Sequence, residues 1–97
     1  MSFWAKKFKI KDHLLVAICD ENLLDKEVKT SEIKVKINKN FYGGEKIDRK
    51  KAIYLMSKCT IANLIGKDII KLALEENFIA KQNIILIGGI PHAQFIQ

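Results

Sequence analysis

The run Asn83-Ile84-Ile85-Leu86-Ile87 breaks abruptly into Gly88-Gly89-Ile90-Pro91-His92, and this break constrains the fold more than any other stretch of the chain. Strand-like apolar sequence that stops at paired glycines, a proline and an imidazole marks a close approach of the backbone, either to another part of its own fold or to a ligand. At 97 residues the chain is expected to form a single domain, residues 1–97, because halves would be too small to bury adequate cores. Hydrophobic residues make up 48% of it, enough for such a core.

Three further strands precede the break. Residues 3–10 alternate imperfectly between apolar and basic, Lys11-Asp12 makes a turn, and His13 to Cys19 is a short continuous apolar run that fits a central strand covered on both faces. Asp20 to Lys26 reads as a capped turn. Glu32-Ile33-Lys34-Val35-Lys36-Ile37-Asn38 alternates strictly, which predicts a strand with Ile33, Val35 and Ile37 inward and Lys34 and Lys36 outward. Asp48 is the expected N-cap of a helix from Arg49 to about Lys58, burying Ala52, Ile53, Met56 and Cys59 and leaving Arg49, Lys50, Tyr54 and Lys58 toward solvent. A second helix is expected from Thr60 to Asn77 on the period of Ile61, Leu64, Ile65, Ile69, Leu72 and Ala73, with Gly66 able to split it into a short extended piece and a later helix. Residues 93–96 read as a final edge strand. The predicted fold class is α+β, a small, mainly antiparallel sheet of four to five strands with a helical pair packed on one face.

The formal net charge is +6, and it is segregated. Residues 1–11 carry four lysines and no acid, residues 12–32 are net acidic, residues 33–58 hold eight bases against two acids, and the remainder balances. Basic surfaces are thus expected from the first strand, the third strand and the helix after it, a footprint suited to phosphate backbones. No segment has the ~20 uninterrupted apolar residues of a membrane span, and residues 1–7 lack the apolar core of a secretory leader, so a cytoplasmic setting without membrane contact is expected. Cys19 and Cys59 sit in apolar surroundings and are expected to be reduced and buried. With His13 and His92 they show no C-x-x-C or H-x-x-x-H spacing, so neither a metal site nor any other cofactor is implied.

Three groups of residues carry candidate chemistry. Lys6, Lys7, Lys9, Lys34, Lys36, Arg49, Lys50 and Lys58 are candidate phosphate contacts. Phe41-Tyr42-Gly43-Gly44, flanked by Lys39 and Lys46, offers Tyr42 as a stacking face for an RNA base. Gly88 and Gly89 are able to turn backbone N–H groups toward an anion, with His92 close by, although a turn at a sheet end accounts for the same residues. Cys19, Asp20 and His92 are the one set resembling a nucleophile, acid and base, against the plainer reading of Cys19 as a small core residue.

Four separated blocks, Ala17-Ile18-Cys19-Asp20 with Leu23-Leu24, Phe41-Tyr42-Gly43-Gly44, Thr60 to Gly66, and Ile87 to Gln94, together resemble the archaeal family known as domain of unknown function 424. Asp25 departs from the pattern, standing where that family would lead one to expect glycine after the paired leucines. The resemblance implies an α+β fold and an archaeal cytosolic setting, and it carries over no activity, cofactor or catalytic residue. A small family confined to archaea fits information processing better than metabolism. The leading expectation is a noncatalytic RNA-associated protein whose partners are ribosomal RNA and ribosomal or translation-factor proteins. The alternatives are a small enzyme or ligand-binding protein using Cys19, Asp20 and His92, and a protein-interaction module pairing through an edge strand near residues 93–96.

Overall fold

The computed structural model describes all residues, 1–97. In chain order the elements are β1 (Ser2–Ile10), β2 (His13–Asp20), β3 (Glu27–Lys29), β4 (Lys34–Lys36), α1 (Lys39–Tyr42), β5 (Glu45–Asp48), α2 (Arg49–Lys58), β6 (Ile61–Ile65), α3 (Lys67–Glu75), β7 (Ile84–Ile87) and β8 (Ile90–Ile96). The main sheet has six strands in the order β5-β1-β2-β6-β8-β7, and β3 and β4 form a separate ribbon. All neighbours in the main sheet are antiparallel except β2 and β6. The sheet is therefore mixed and larger than the four to five mainly antiparallel strands expected.

Two of its strands are unexpected: β5, which fills the residues just before the Asp48 cap, and β6, which occupies residues predicted to begin a helix, while the strand expected at residues 32–38 lies in the ribbon. Ile61, Leu64 and Ile65 satisfy a helical period, but a short apolar run fits a strand buried on both faces equally well. Thr60 decides the matter as a splice to β2: its N–H donates to the Leu14 carbonyl at 2.9 Å, and its hydroxyl both accepts from the Leu14 N–H at 2.6 Å and donates to the Leu14 carbonyl at 3.0 Å. That places Ile61 beside Leu15 and sets the parallel register through to Ile65 beside Cys19. Gly66 ends the strand, and only the residues after it are helical.

α2 and α3 bury into one cluster with Phe3, Val16, Ile18, Leu64 and Ala93, so the helical pair covers one face of the sheet. The other face carries a second cluster, Ala17, Cys19 and Ile65 packed under Val28, Ile37 and Tyr42 from the ribbon and α1. This second cover shortens the strand expected at residues 32–38. Thr30 folds back on Ile33, its side chain accepting the Ile33 N–H at 3.1 Å, so β4 starts only at Lys34 and Ile33 is 63% exposed instead of inward. Asp25 takes a left-handed backbone, φ 65°, which explains why glycine is the residue expected there. β8 is interior, pairing β6 on one side and β7 on the other, so residues 93–96 do not form an edge; β7 does. No helix is long and apolar enough to cross a membrane.

Candidate nucleic-acid interface

α2 starts where Asp48 Oδ1 accepts the Lys51 N–H at 2.8 Å, as its sequence predicts, and four of its ten residues are cationic with none acidic. Ala52, Leu55 and Met56 turn into the core, so the helical period leaves Lys50, Tyr54, Ser57 and Lys58 on one outward stripe. Tyr54 is 55% exposed at its centre. The Lys58 ammonium stands 5.8 Å from the Tyr54 ring centroid, within cation–π range. Neither of the two ion pairs in the protein involves Lys50 or Lys58.

Lys7 and Lys9 extend the same surface. They alternate with residues of the other face of β1, so they share the side of Phe3 and Ala5, which α2 covers. Lys9 pairs with Leu14, and Leu14 is bonded to Thr60 just past the end of α2, which brings Lys9 to the end of the sheet where Lys58 lies. The result is an exposed aromatic ring on a helix stripe with the unpaired cations Lys50 and Lys58, and two further lysines on the same side of the sheet, a combination able to hold phosphates and stack a base.

The remaining predicted contacts do not join it. Lys6 belongs to the opposite face, donating from Nζ to the Asn40 carbonyl at 3.0 Å and lying 5.4 Å from the Phe8 ring centroid. Lys34 and Lys36 sit on the ribbon, where Lys36 stands opposite Glu27. Lys46 is paired with Glu21, and Arg49 with Glu76 at 3.7 Å. Gly43 and Gly44 form a packed joint and not an open loop: a Cβ on Gly44 would lie 2.5 Å from the Ala5 carbonyl oxygen.

Tyr42 and His92 are buried, which withdraws both from contact with a base or phosphate. They converge on Asn63, a residue the sequence does not single out. Asn63 Oδ1 accepts from the Tyr42 hydroxyl at 2.5 Å and lies 3.1 Å from His92 Nε2. A carbonyl oxygen only accepts, so Nε2 carries the proton. Burial pushes the His92 imidazole below its ordinary value, consistent with a neutral ring, and pushes the Tyr42 phenol up. The three side chains form a hydrogen-bonded tie between α1, β6 and β8.

The Cys19, Asp20 and His92 set is also occupied by structure. Cys19 is fully buried, and burial together with the neighbouring Asp20 carboxylate pushes its thiol up to about 12. Asp20 caps α3 from the end of the neighbouring strand β2, Oδ2 accepting the Asp68 N–H and Oδ1 the Ile69 N–H, both at 2.9 Å. Burial pushes its carboxyl up against the opposing effect of those two bonds. The helix terminus that would attract an anion thus already holds one, and the cleft between Asp20, Leu23, Lys67 and the Gly89–Pro91 backbone encloses about 170 Å³. That is below the ~300 Å³ at which ligand pockets begin. Gly88 is exposed, but the ribbon stands against one side of it, since an added Cβ there would run into Val28 Cγ1. No three His, Cys, Asp or Glu side chains converge where they could hold a metal ion. Native protein at pH 8 is expected to leave both thiols unmodified by a disulfide reagent until it is unfolded; rapid modification of Cys19 in the folded state would restore it as a nucleophile.

Residues 8–97 match the model of the family described as protein of unknown function DUF424. The chain belongs to that family. The DUF424 chain also superimposes on the crystal structure of an uncharacterized conserved protein from Methanopyrus kandleri with a TM-score of 0.85, covering 98% of this chain and 90% of that one at 21% sequence identity. At that identity the likeness is one of fold. No curated protein matches.

Within this DUF424 protein the sequence places Lys50, Tyr54 and Lys58 toward solvent but assigns a role only to the two lysines. The missing signal is the spacing itself, since residues 50, 54 and 58 fall at i, i+4 and i+8 and therefore on one stripe.

Proposed function

We propose that this DUF424 protein is a noncatalytic binder of single-stranded RNA, with the outward stripe of α2 as its contact surface. Lys50, Lys58, Lys7 and Lys9 neutralise phosphates, and Tyr54 provides a face on which an unpaired base stacks. The observation that carries the reading is the exposed tyrosine set among cations that have no acidic partner. RNA is favoured over a folded protein partner because the stripe offers an aromatic face and positive charge, with little apolar area beyond the ring.

The test is fluorescence anisotropy with a short single-stranded RNA at a series of salt concentrations. Four phosphate contacts give a log–log slope of about −3, from about −0.7 each for single strands. Tyr54→Ala is expected to weaken binding about tenfold or more, the equivalent of one lost stack. Lys50→Glu with Lys58→Glu is expected to weaken it at least as much, whereas Lys34→Glu with Lys36→Glu on the ribbon leaves affinity nearly unchanged. Absence of binding at low salt, or equal loss in the ribbon variant, overturns the assignment.

A further inference from the structure

The two edges of the main sheet are built differently. β5 carries Glu45, Lys46 and Asp48, three charges in four residues, which is how edge strands avoid pairing with other chains. β7 is Ile84-Ile85-Leu86-Ile87 with no charge, proline or bulge, and Ile85 and Leu86 are 57% and 70% exposed on opposite faces.

The hydrogen bonds of β8 fix which groups of β7 point outward. Gly66 N–H donates to the Pro91 carbonyl and Gln97 N–H to the Thr60 carbonyl, so the odd-numbered residues of β8 bond toward β6 and the even-numbered ones toward β7. Ile90 and His92 face Ile87 and Ile85, which leaves Ile84 and Leu86 turned to the free edge. The Ile84 N–H is already taken by the Lys81 carbonyl. The free groups are the Ile84 carbonyl, both groups of Leu86 and the Gly88 N–H, which points opposite to the inward Ile87 carbonyl of the same peptide.

We infer that β7 pairs antiparallel with β7 of a second copy of this chain, centred on Leu86, to form a symmetric dimer with a continuous sheet. In this register Leu86 N–H and C=O bond their own counterparts across the two-fold axis, and each Ile84 carbonyl accepts the partner's Gly88 N–H. Every free edge group is used. A register centred on Ile85 would set the Leu86 carbonyl against the Ile84 N–H that is already occupied. The side chains agree: Leu86 meets Leu86 on one face and Ile85 meets Ile87 on the other, while Lys81 lies outside the paired segment, so no like charges meet. A self-complementary patch of this kind is what a two-fold interface requires.

Analytical ultracentrifugation of the full chain is expected to show mass rising from 11.1 kDa toward twice that value as concentration increases. Leu86→Lys, which places two cations across the axis at a position exposed in the monomer, holds the mass at one chain. Leu86→Cys links two chains under mild oxidation, since directly opposed hydrogen-bonded residues have Cα atoms about 5.5 Å apart. Ile85→Cys does not, because its counterpart is a diagonal neighbour about 7 to 8 Å away. The native Cys19 and Cys59 are buried and give no background. A wild-type chain that stays at 11.1 kDa at every concentration, a dimer that survives Leu86→Lys, or linkage through position 85 instead of 86 overturns the inference.

Discussion

Gly66→Ala is expected to destabilise the protein by about 3 to 5 kcal/mol, seen as a lower urea midpoint with little change in slope. Gly66 has φ 124°, a region that residues with a Cβ rarely adopt, and an added Cβ would stand 2.3 Å from Asp20 Cγ and 2.5 and 2.6 Å from its two oxygens. That carboxylate has no freedom to move aside, because each oxygen holds an amide of the first turn of α3. The substitution therefore combines backbone strain of about 1–3 kcal/mol with overpacking of a similar size. A loss below about 1 kcal/mol would mean that the Asp20–Gly66 contact yields easily.

Asp20→Ala comes next, at about 2 to 4 kcal/mol, again by urea denaturation. It leaves the Asp68 and Ile69 N–H groups without partners where β2, β6 and α3 meet, and it removes the side chain that hydrogen-bonds the end of β2 to the helix. The two substitutions are expected to be strongly non-additive. Without the carboxylate, a Cβ at position 66 meets no oxygen, so the double variant pays only the backbone strain at that site, and the coupling exceeds about 1 kcal/mol. Full additivity would contradict a direct clash between the two residues.

Local rules read correctly wherever a residue's neighbours in sequence decide its state. Asp48 caps α2 and the Lys11-Asp12 turn joins β1 to β2, as their sequences indicate. The glycines that follow β7 take φ 57° and 83°, which makes a tight hairpin, so the close approach of the backbone there is to its own fold. Partners distant in sequence are another matter. Nothing in Thr60 to Ile65 reveals that Thr60 will bond Leu14, so a parallel strand reads as the start of a helix. Nothing around His92 reveals Asn63, so an imidazole read as standing close to a bound anion is buried. The predicted basic footprint divides for the same reason: Lys6, Lys34 and Lys36 fall on the ribbon's side of the sheet, and Lys7, Lys9, Lys50 and Lys58 on the side of α2. Charge along a sequence carries no information about which side of a sheet it will occupy.

Whether RNA binds along the α2 stripe is tested by titrating the isotopically labelled protein with a short single-stranded RNA, followed through its backbone amide resonances at low salt. Binding along the α2 stripe predicts shifts concentrated at residues 50–58 together with Lys7 and Lys9, diminishing as salt is raised. Absence of shifts, or shifts centred on residues 20–24 and 88–92 around the cleft, would contradict it.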